Sequence, residues 1–232
     1  MMTNNLIIED GVVVEHELSS EAESHEVVIP YGPTVIGENL FQGARNIVSV
    51  KIPNSITTIS EGAFQSCVAL ESIVIPSSVE SIGGLAFEYC EKMHTLILSE
   101  GLKSIEYGAF GKCWELKTVN IPDGVVFLGD GAFSGCESLK SAVISGSVRA
   151  FGEYLFSGCK ELQSVTIKDG LLSIGAEAFE GCESLEIVMI PASVRSIGED
   201  AFSGCDRVTI YAPAGSYAEQ YAKEKGIPFS AI

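Results

Sequence analysis

The stretch from Leu70 to Cys90, LESIVIPSSVESIGGLAFEYC, is repeated along most of the chain. Its Phe87 belongs to a series in which Phe41, Phe64, Phe87, Phe110, Phe133, Phe156, Phe179 and Phe202 stand 23 residues apart, eight of the eleven Phe present. Three residues after each Phe comes Cys67, Cys90, Cys113, Cys136, Cys159, Cys182 or Cys205, with Ala44 in the first unit, so every Cys lies on the same series. Six residues after each Phe comes an aliphatic side chain, as in Leu70, Met93, Leu116 and Leu139. Pairs such as Ile73 and Ile75, or Val165 and Ile167, alternate with polar residues and read as short strands with one face inward. Pro30, Pro53, Pro76, Pro122 and Pro191 end the strands, where a missing amide does least harm. Turn formers follow, such as Asp123-Gly124 and Asp169-Gly170. The segment around Ala-Phe and Gly-Cys, for instance 198–205, is too short for an α-helix and reads as a single 3₁₀ turn.

A fixed period of this length is the mark of stacked repeats. One unit buries too few apolar side chains to offset the ordering of its backbone. Stacking supplies hydrogen-bond partners for each strand and covers both faces of each Phe, which predicts a solenoid with capped ends. At the start, Leu6-Ile7-Ile8 and Val12-Val13-Val14 flank Glu9-Asp10-Gly11, a hairpin pattern, and Val27 with Ile29 fits a first rung that lacks Phe. At the finish, 216–225 reads as a helix with Ser216 as N-cap and Gly226 past its end, closing the stack with Tyr217, Tyr221, Ala218 and Ala222. The expected organisation is a cap at 1–26, a solenoid at 27–210 and a second cap at 211–232.

Leu70-x-x-Ile73-x-Ile75-Pro76-x-x-Val79-x-x-Ile82-Gly83-x-x-Ala86-Phe87-x-x-Cys90 resembles the BspA-like leucine-rich repeat of bacterial surface proteins. The resemblance runs over about residues 27–210, and Gly215-Ser216-Tyr217-Ala218 through Gly226-Ile227-Pro228-Phe229 is similar to the segment that closes such arrays. It implies a leucine-rich-repeat solenoid, a right-handed curved stack of short parallel strands with strands on the concave side and an irregular or 3₁₀ convex side. It also implies a secreted or surface-attached protein concerned with adhesion and protein binding, and no reaction. Local departures are Ser99, Ser145 and Lys168 in place of the strand-end Pro, Phe151 in place of Ile, and Leu40 and Leu155 in place of Ala before Phe.

Charge and composition limit the partners. Fourteen Lys and Arg against 31 Asp and Glu give a formal charge of −17, which disfavours nucleic acid and anionic lipid. No run of 18 apolar residues is present, so membrane insertion is not expected. The first cation is Arg45, and residues 1–44 hold no apolar run of signal-peptide length. The chain is therefore expected in the cytoplasm if the sequence is full-length, and at the surface if a leader has been removed.

The residue series leaves little for chemistry. No two Cys are closer than 23 residues, unlike the paired ligands of a zinc site, and an odd count cannot pair fully. Free buried thiols are the expectation. His16, His25 and His94 show no metalloprotease spacing, and His16 reads as a lone surface side chain. There is no phosphate loop, nucleophile turn or N-glycosylation sequon, and Glu38, Glu61, Asp130, Glu153, Glu199 and Asp200 lack calcium-loop spacing. No catalytic residue, cofactor or metal is expected.

What varies is the outward row of the strands. The residues eight after Phe are mostly Ser or Thr, whereas those ten after Phe are Lys51, Val74, Ile97, Asn120, Val143, Thr166 and Met189. Four bare apolar side chains in that second row predict a binding strip on the concave face, flanked by Glu71, His94, Lys117, Lys140, Gln163 and Glu186. β-branched residues also suit strands for their own sake. A second, smaller candidate is the aromatic trio Tyr89, Trp114 and Phe127. The expected function is a non-catalytic recognition or adhesion scaffold that binds a protein, or a glycan, on the strand face. The alternative is a structural array in which the same strip joins two copies as a weak homodimer.

Overall fold

The structure, a computed structural model, describes residues 6–16 and 24–232. Parts of the expected N-terminal cap, 1–5 and 17–23, lie outside the described residues. The repeats form a leucine-rich-repeat solenoid whose rungs stack through parallel strands.

Two ladders run its length. The longer strands form one: His25–Val28, Ile47–Lys51, Ser72–Ile75 and Thr95–Leu98, then Thr118–Asn120, Ser141–Ile144, Ser164–Ile167, Ile187–Met189 and Thr209–Ala212. Two-residue strands form the other, from Val35–Ile36 through Thr58–Ile59, Ser81–Ile82 and Ser104–Ile105 to Phe127–Leu128, with Ser173–Ile174 pairing Ser196–Ile197 further on. Residues 23 apart are partners, as in Val74↔Ile97 and Val143↔Thr166, so the sequence period is the spatial period.

A third set of backbone bonds runs through the Phe turns. The amides of Phe41, Phe64 and Phe87 donate to the carbonyls of Ala63, Ala86 and Ala109 in the next rung, and residues two before and two after each Phe do the same. The intervening amides bond locally, as in Gln42 to Asn39 and Ala44 to Phe41, which is the i→i−3 pattern expected of a 3₁₀ turn. Continuous helix is prevented because the residues two before and two after Phe take positive φ, for example Leu85 at 57° and Tyr89 at 58°. That left-handed conformation turns alternate amides along the stack instead of along the chain.

The eight Phe rings form one column. Neighbouring centroids are 5.0 to 5.8 Å apart with interplanar angles of 2° to 17°. Phe151 shows what the one aromatic departure costs in regularity. Its ring stands edge-on to Phe156 and Phe179 at 6.4 and 6.2 Å, the column is widest there, and the short ladder reduces to single bridges, Leu128↔Phe151 and Ala150↔Ser173. Ser145, in the Pro position, is fully buried and satisfied, its hydroxyl donating to Asp123 Oδ1 at 2.7 Å.

The cysteines line a parallel column. All seven are unpaired and buried, and each Sγ–H donates to a Phe carbonyl 26 residues earlier at 3.0 to 3.3 Å. Burial pushes the Cys67 and Cys136 thiols up to about 12, so these groups are packing elements that stay protonated.

Both ends of the ring column are covered. The hairpin Leu6–Glu9 and Val12–His16 turns at Asp10 and Gly11, both at positive φ. His16 is not the isolated surface side chain expected from its sequence context: its ring stacks on Phe41 at 5.0 Å and 15°, in effect a ninth ring in the column. Period analysis keyed on Phe missed it because the residue type differs. At the other end the helix is Tyr217–Lys225, with Ser216 accepting from the Glu219 amide and Gly226 at φ 70°. Tyr221, Ala218 and Ala222 are buried and Tyr221 lies 6.1 Å from Phe202, but Tyr217 is 36% exposed and is not part of the closing face. A strand that the sequence did not suggest, Phe229–Ala231, adds a parallel edge to Thr209–Ala212.

His16 makes the N-terminal cap sensitive to pH. Burial lowers its imidazole below the ordinary 6.5, outweighing the opposing Glu15 charge and a hydrogen bond with the Leu40 backbone. A folded-state value below the unfolded one means the contribution is complete above about pH 6.5 and is lost as pH falls through the lowered value. Amides of the paired strands Val12–His16 and Val35–Ile36 are expected to lose exchange protection between about pH 7.5 and about pH 5.5, and His16→Phe to abolish the difference. Equal protection at both values in the native protein would show that the ring is not desolvated.

Candidate functional site

Alternation along each longer strand sends Ile73, Val119, Val165 and Val188 inward, at 0 to 1% exposure, and their neighbours outward. The outward row expected from sequence is present, though in two parts. Val74 and Ile97 pair directly and are 53% and 50% exposed. Asn120, Val143, Thr166 and Met189 pair in series, and of these Asn120 is exposed, Val143 and Thr166 are half-buried, and Met189 is 37% exposed. Lys51 is exposed, pairs with Val28, and holds Glu26 in an ion pair at 2.5 Å.

Between the two parts the sheet is interrupted. Thr95–Leu98 closes one sheet and Thr118–Asn120 opens the next. Leu96 and Leu98 are half-buried there, whereas their equivalents Ile73 and Ile75 are fully buried. The most exposed apolar part of the strip is thus the pair Val74 and Ile97 in its N-terminal half, while Leu96 and Leu98 face inward against the core.

Two members of the row escaped the sequence reading. Val28, 51% exposed, is the partner of Lys51 one rung earlier, and extending the period upstream by one unit reaches it. Tyr211 pairs with Met189 although it follows by 22 residues, because the last rung is one residue short. At that end Thr166, Asp169, Met189, Pro191 and Ile232 line an open recess of about 280 Å³.

The aromatic trio does not assemble. Tyr89 and Trp114 meet edge to face at 6.5 Å, with Lys112 Nζ 4.3 Å from the Tyr89 ring centre and donating to its hydroxyl at 2.6 Å. Phe127 lies on the short ladder, opposite Ser104. Elsewhere Asp123 collects the Ser145 hydroxyl and Lys168 Nζ at 3.7 Å, which together hold its carboxyl below the usual range. Among the described residues no group of three or more His, Cys, Asp or Glu is placed to hold a metal ion, and no helix is long and apolar enough to cross a membrane.

Two parallel ladders joined by Phe turns, with nearly all regular apolar positions buried, are the geometry of a leucine-rich repeat array. The model of the BspA type leucine-rich repeat region matches residues 18–140 and 126–214, in six copies. The chain belongs to the BspA-type leucine-rich repeat family. Among solved structures, a leucine-rich repeat protein of T. pallidum is 26% identical, with 99% of this chain and 97% of that one covered and a TM-score of 0.66. A leucine-rich cell surface protein from Faecalibacterium prausnitzii is 20% identical over 96% of each chain, with a TM-score of 0.43. No curated protein matches this BspA-type chain.

Proposed function

We propose that the protein is a non-catalytic recognition scaffold that binds a protein partner on its longer-strand face, through Val28, Val74 and Ile97 with Lys51, Asn120, Val143, Thr166 and Met189 beside them. BspA-type arrays are in general protein-interaction or adhesion scaffolds. The observation that carries the reading is the contrast within single strands: Ile73 is 1% exposed and Val74, its neighbour, 53%. An isolated exposed valine is ordinary, but Val74 and Ile97, directly paired at 53% and 50%, are contiguous apolar surface, with Val28 at 51% two rungs from Val74 across Lys51. A protein partner is favoured over a second copy, since two chains of formal charge −17 would meet face to face.

Peptides selected from a random display library against the wild-type protein test this. They are expected to lose binding to the double variant Val74→Asp/Ile97→Asp, whose melting temperature stays near that of wild type because both side chains are exposed. Peptides that bind the double variant equally well would place recognition elsewhere. Light scattering at micromolar concentration reads the alternative: a dimer that dissolves in the double variant would assign the strip to self-association.

A further inference from the structure

The short ladder carries a second row, 16 residues after each Phe, that the strand-face reading does not use. It runs Thr57, Glu80, Lys103, Val126, Arg149, Leu172, Arg195. Backbone bonds hold the row in two segments, from Lys103 to the Glu80 carbonyl and Val126 to Lys103, then from Leu172 to Arg149 and Arg195 to Leu172, at 2.8 to 2.9 Å, and the Leu128↔Phe151 bridge joins the rungs of Val126 and Arg149 between them. All five side chains from Lys103 to Arg195 are exposed, with Val126 at 56% and Leu172 at 47%. Cations therefore alternate with aliphatic residues on successive rungs. At about 4.8 Å per rung, the cations stand about 10 Å apart along a strip of about 19 Å.

Three of the chain's 14 cations lie in this row, in a protein whose net charge is −17. Among the described residues, the ion pairs engage Lys51, Lys112, Lys160, Lys168 and Arg207, and none engages Lys103, Arg149 or Arg195. The two arginines spend one donor each on a carbonyl, of Gly170 at 3.2 Å and Ala192 at 2.8 Å, which leaves most of each guanidinium open. Acidic residues border the row on both sides in sequence: Glu100, Asp123 and Asp169 three before it, and Asp130, Glu153 and Glu199 four after it.

We propose that this row is a docking track for an extended acidic peptide segment of a partner protein, distinct from the longer-strand face. Ten ångströms is about three residues of extended or polyproline-type backbone, so carboxylates at every third residue would meet Lys103, Arg149 and Arg195 in turn. Aliphatic residues between those carboxylates would cover Val126 and Leu172, which a sulfated glycan or a nucleic acid backbone does not do. The acidic borders repel broad polyanions and admit a single narrow strand.

The test is fluorescence anisotropy with a dye-labelled (Glu-Pro-Val)₄ peptide, with (Lys-Pro-Val)₄ and a heparin-derived oligosaccharide as comparisons. The acidic peptide is expected to bind, the basic one not, and Arg149→Glu to weaken binding about tenfold or more. Arg149→Ala is expected to act in the same direction, and Val126→Ser/Leu172→Ser to weaken binding while leaving all charges in place. Val74→Asp is expected to leave this binding unchanged, which separates the track from the strand face. No binding, equal binding to Arg149→Glu, indifference to Val126→Ser/Leu172→Ser, or preference for the oligosaccharide would each overturn the proposal.

Discussion

Replacing Phe133 by alanine is expected to destabilise the protein by about 3–5 kcal/mol. The ring is fully buried and stacked on both faces, 5.4 Å from Phe110 and 5.8 Å from Phe156, so its removal opens a void that two rigid neighbours cannot close. The backbone around it is held in place by bonds to both adjacent rungs, from Phe110 to Ala132 and from Phe133 to Leu155, which limits collapse further. Phe202→Ala is the internal comparison. Phe202 is 7% exposed, stacks on Phe179 on one side only, and meets Tyr221 at a 55° tilt beside a recess of about 190 Å³. Its loss is expected to cost less, about 2–3 kcal/mol. Urea unfolding followed by circular dichroism and by Trp114 fluorescence compares the two. A Phe133→Ala protein within about 1 kcal/mol of wild type would mean that the ring column contributes little to stability.

The second large effect is expected at a glycine. Gly170 has φ 128°, and a Cβ built there would lie 2.0 Å from the Gly146 carbonyl oxygen of the preceding rung. Both the conformation and the contact exclude a side chain, and the obstacle is backbone that the ladders hold in place. Its amide donates to the Ser193 hydroxyl of the next rung at 3.0 Å, so a shift of this turn is felt on both sides. Gly170→Ala is expected to cost about 2–4 kcal/mol, strain and overpacking together. Gly43→Ala separates the two causes, because Gly43 has φ 72° with open space where the Cβ would be, and about 1–2 kcal/mol is expected there. Equal losses at Gly43 and Gly170 would show that rung-to-rung approach is not what selects glycine at 170.

These two positions differ in how far sequence could reach them. Phe133 was legible because it recurs, and a recurring large apolar residue has one economical explanation, burial against its own copies. Gly170 sits in a row that reads Ser78, Gly101, Gly124, Ser147, Gly170, Ser193, where turn chemistry explains either residue. The reason for Gly at 101 and 170 is distance to a carbonyl in another rung, which no local pattern encodes. The same holds for His16, which completes the ring column with a residue type that the period did not track.

The strand-face row was legible as a row but not as a shape. Its register followed from the 23-residue spacing, including the pairs Val74↔Ile97 and Thr166↔Met189. The interruption after Thr95–Leu98 was not, and there the inward-facing Leu96 and Leu98 are only half-buried. Tyr211 entered the row through a one-residue contraction that hides it from any fixed period.

The amino-acid order alone determined the repeat, the inward positions of every rung, the free thiols and the capping helix, because each depends on spacing that the chain carries within itself. The tertiary structure decided which turns need glycine, what covers the first ring, where the long ladder parts and which exposed side chains line up on the short one. Those depend on separations between rungs, set by how neighbouring backbones and side chains fit once stacked, and a residue's own neighbours in sequence hold no record of them.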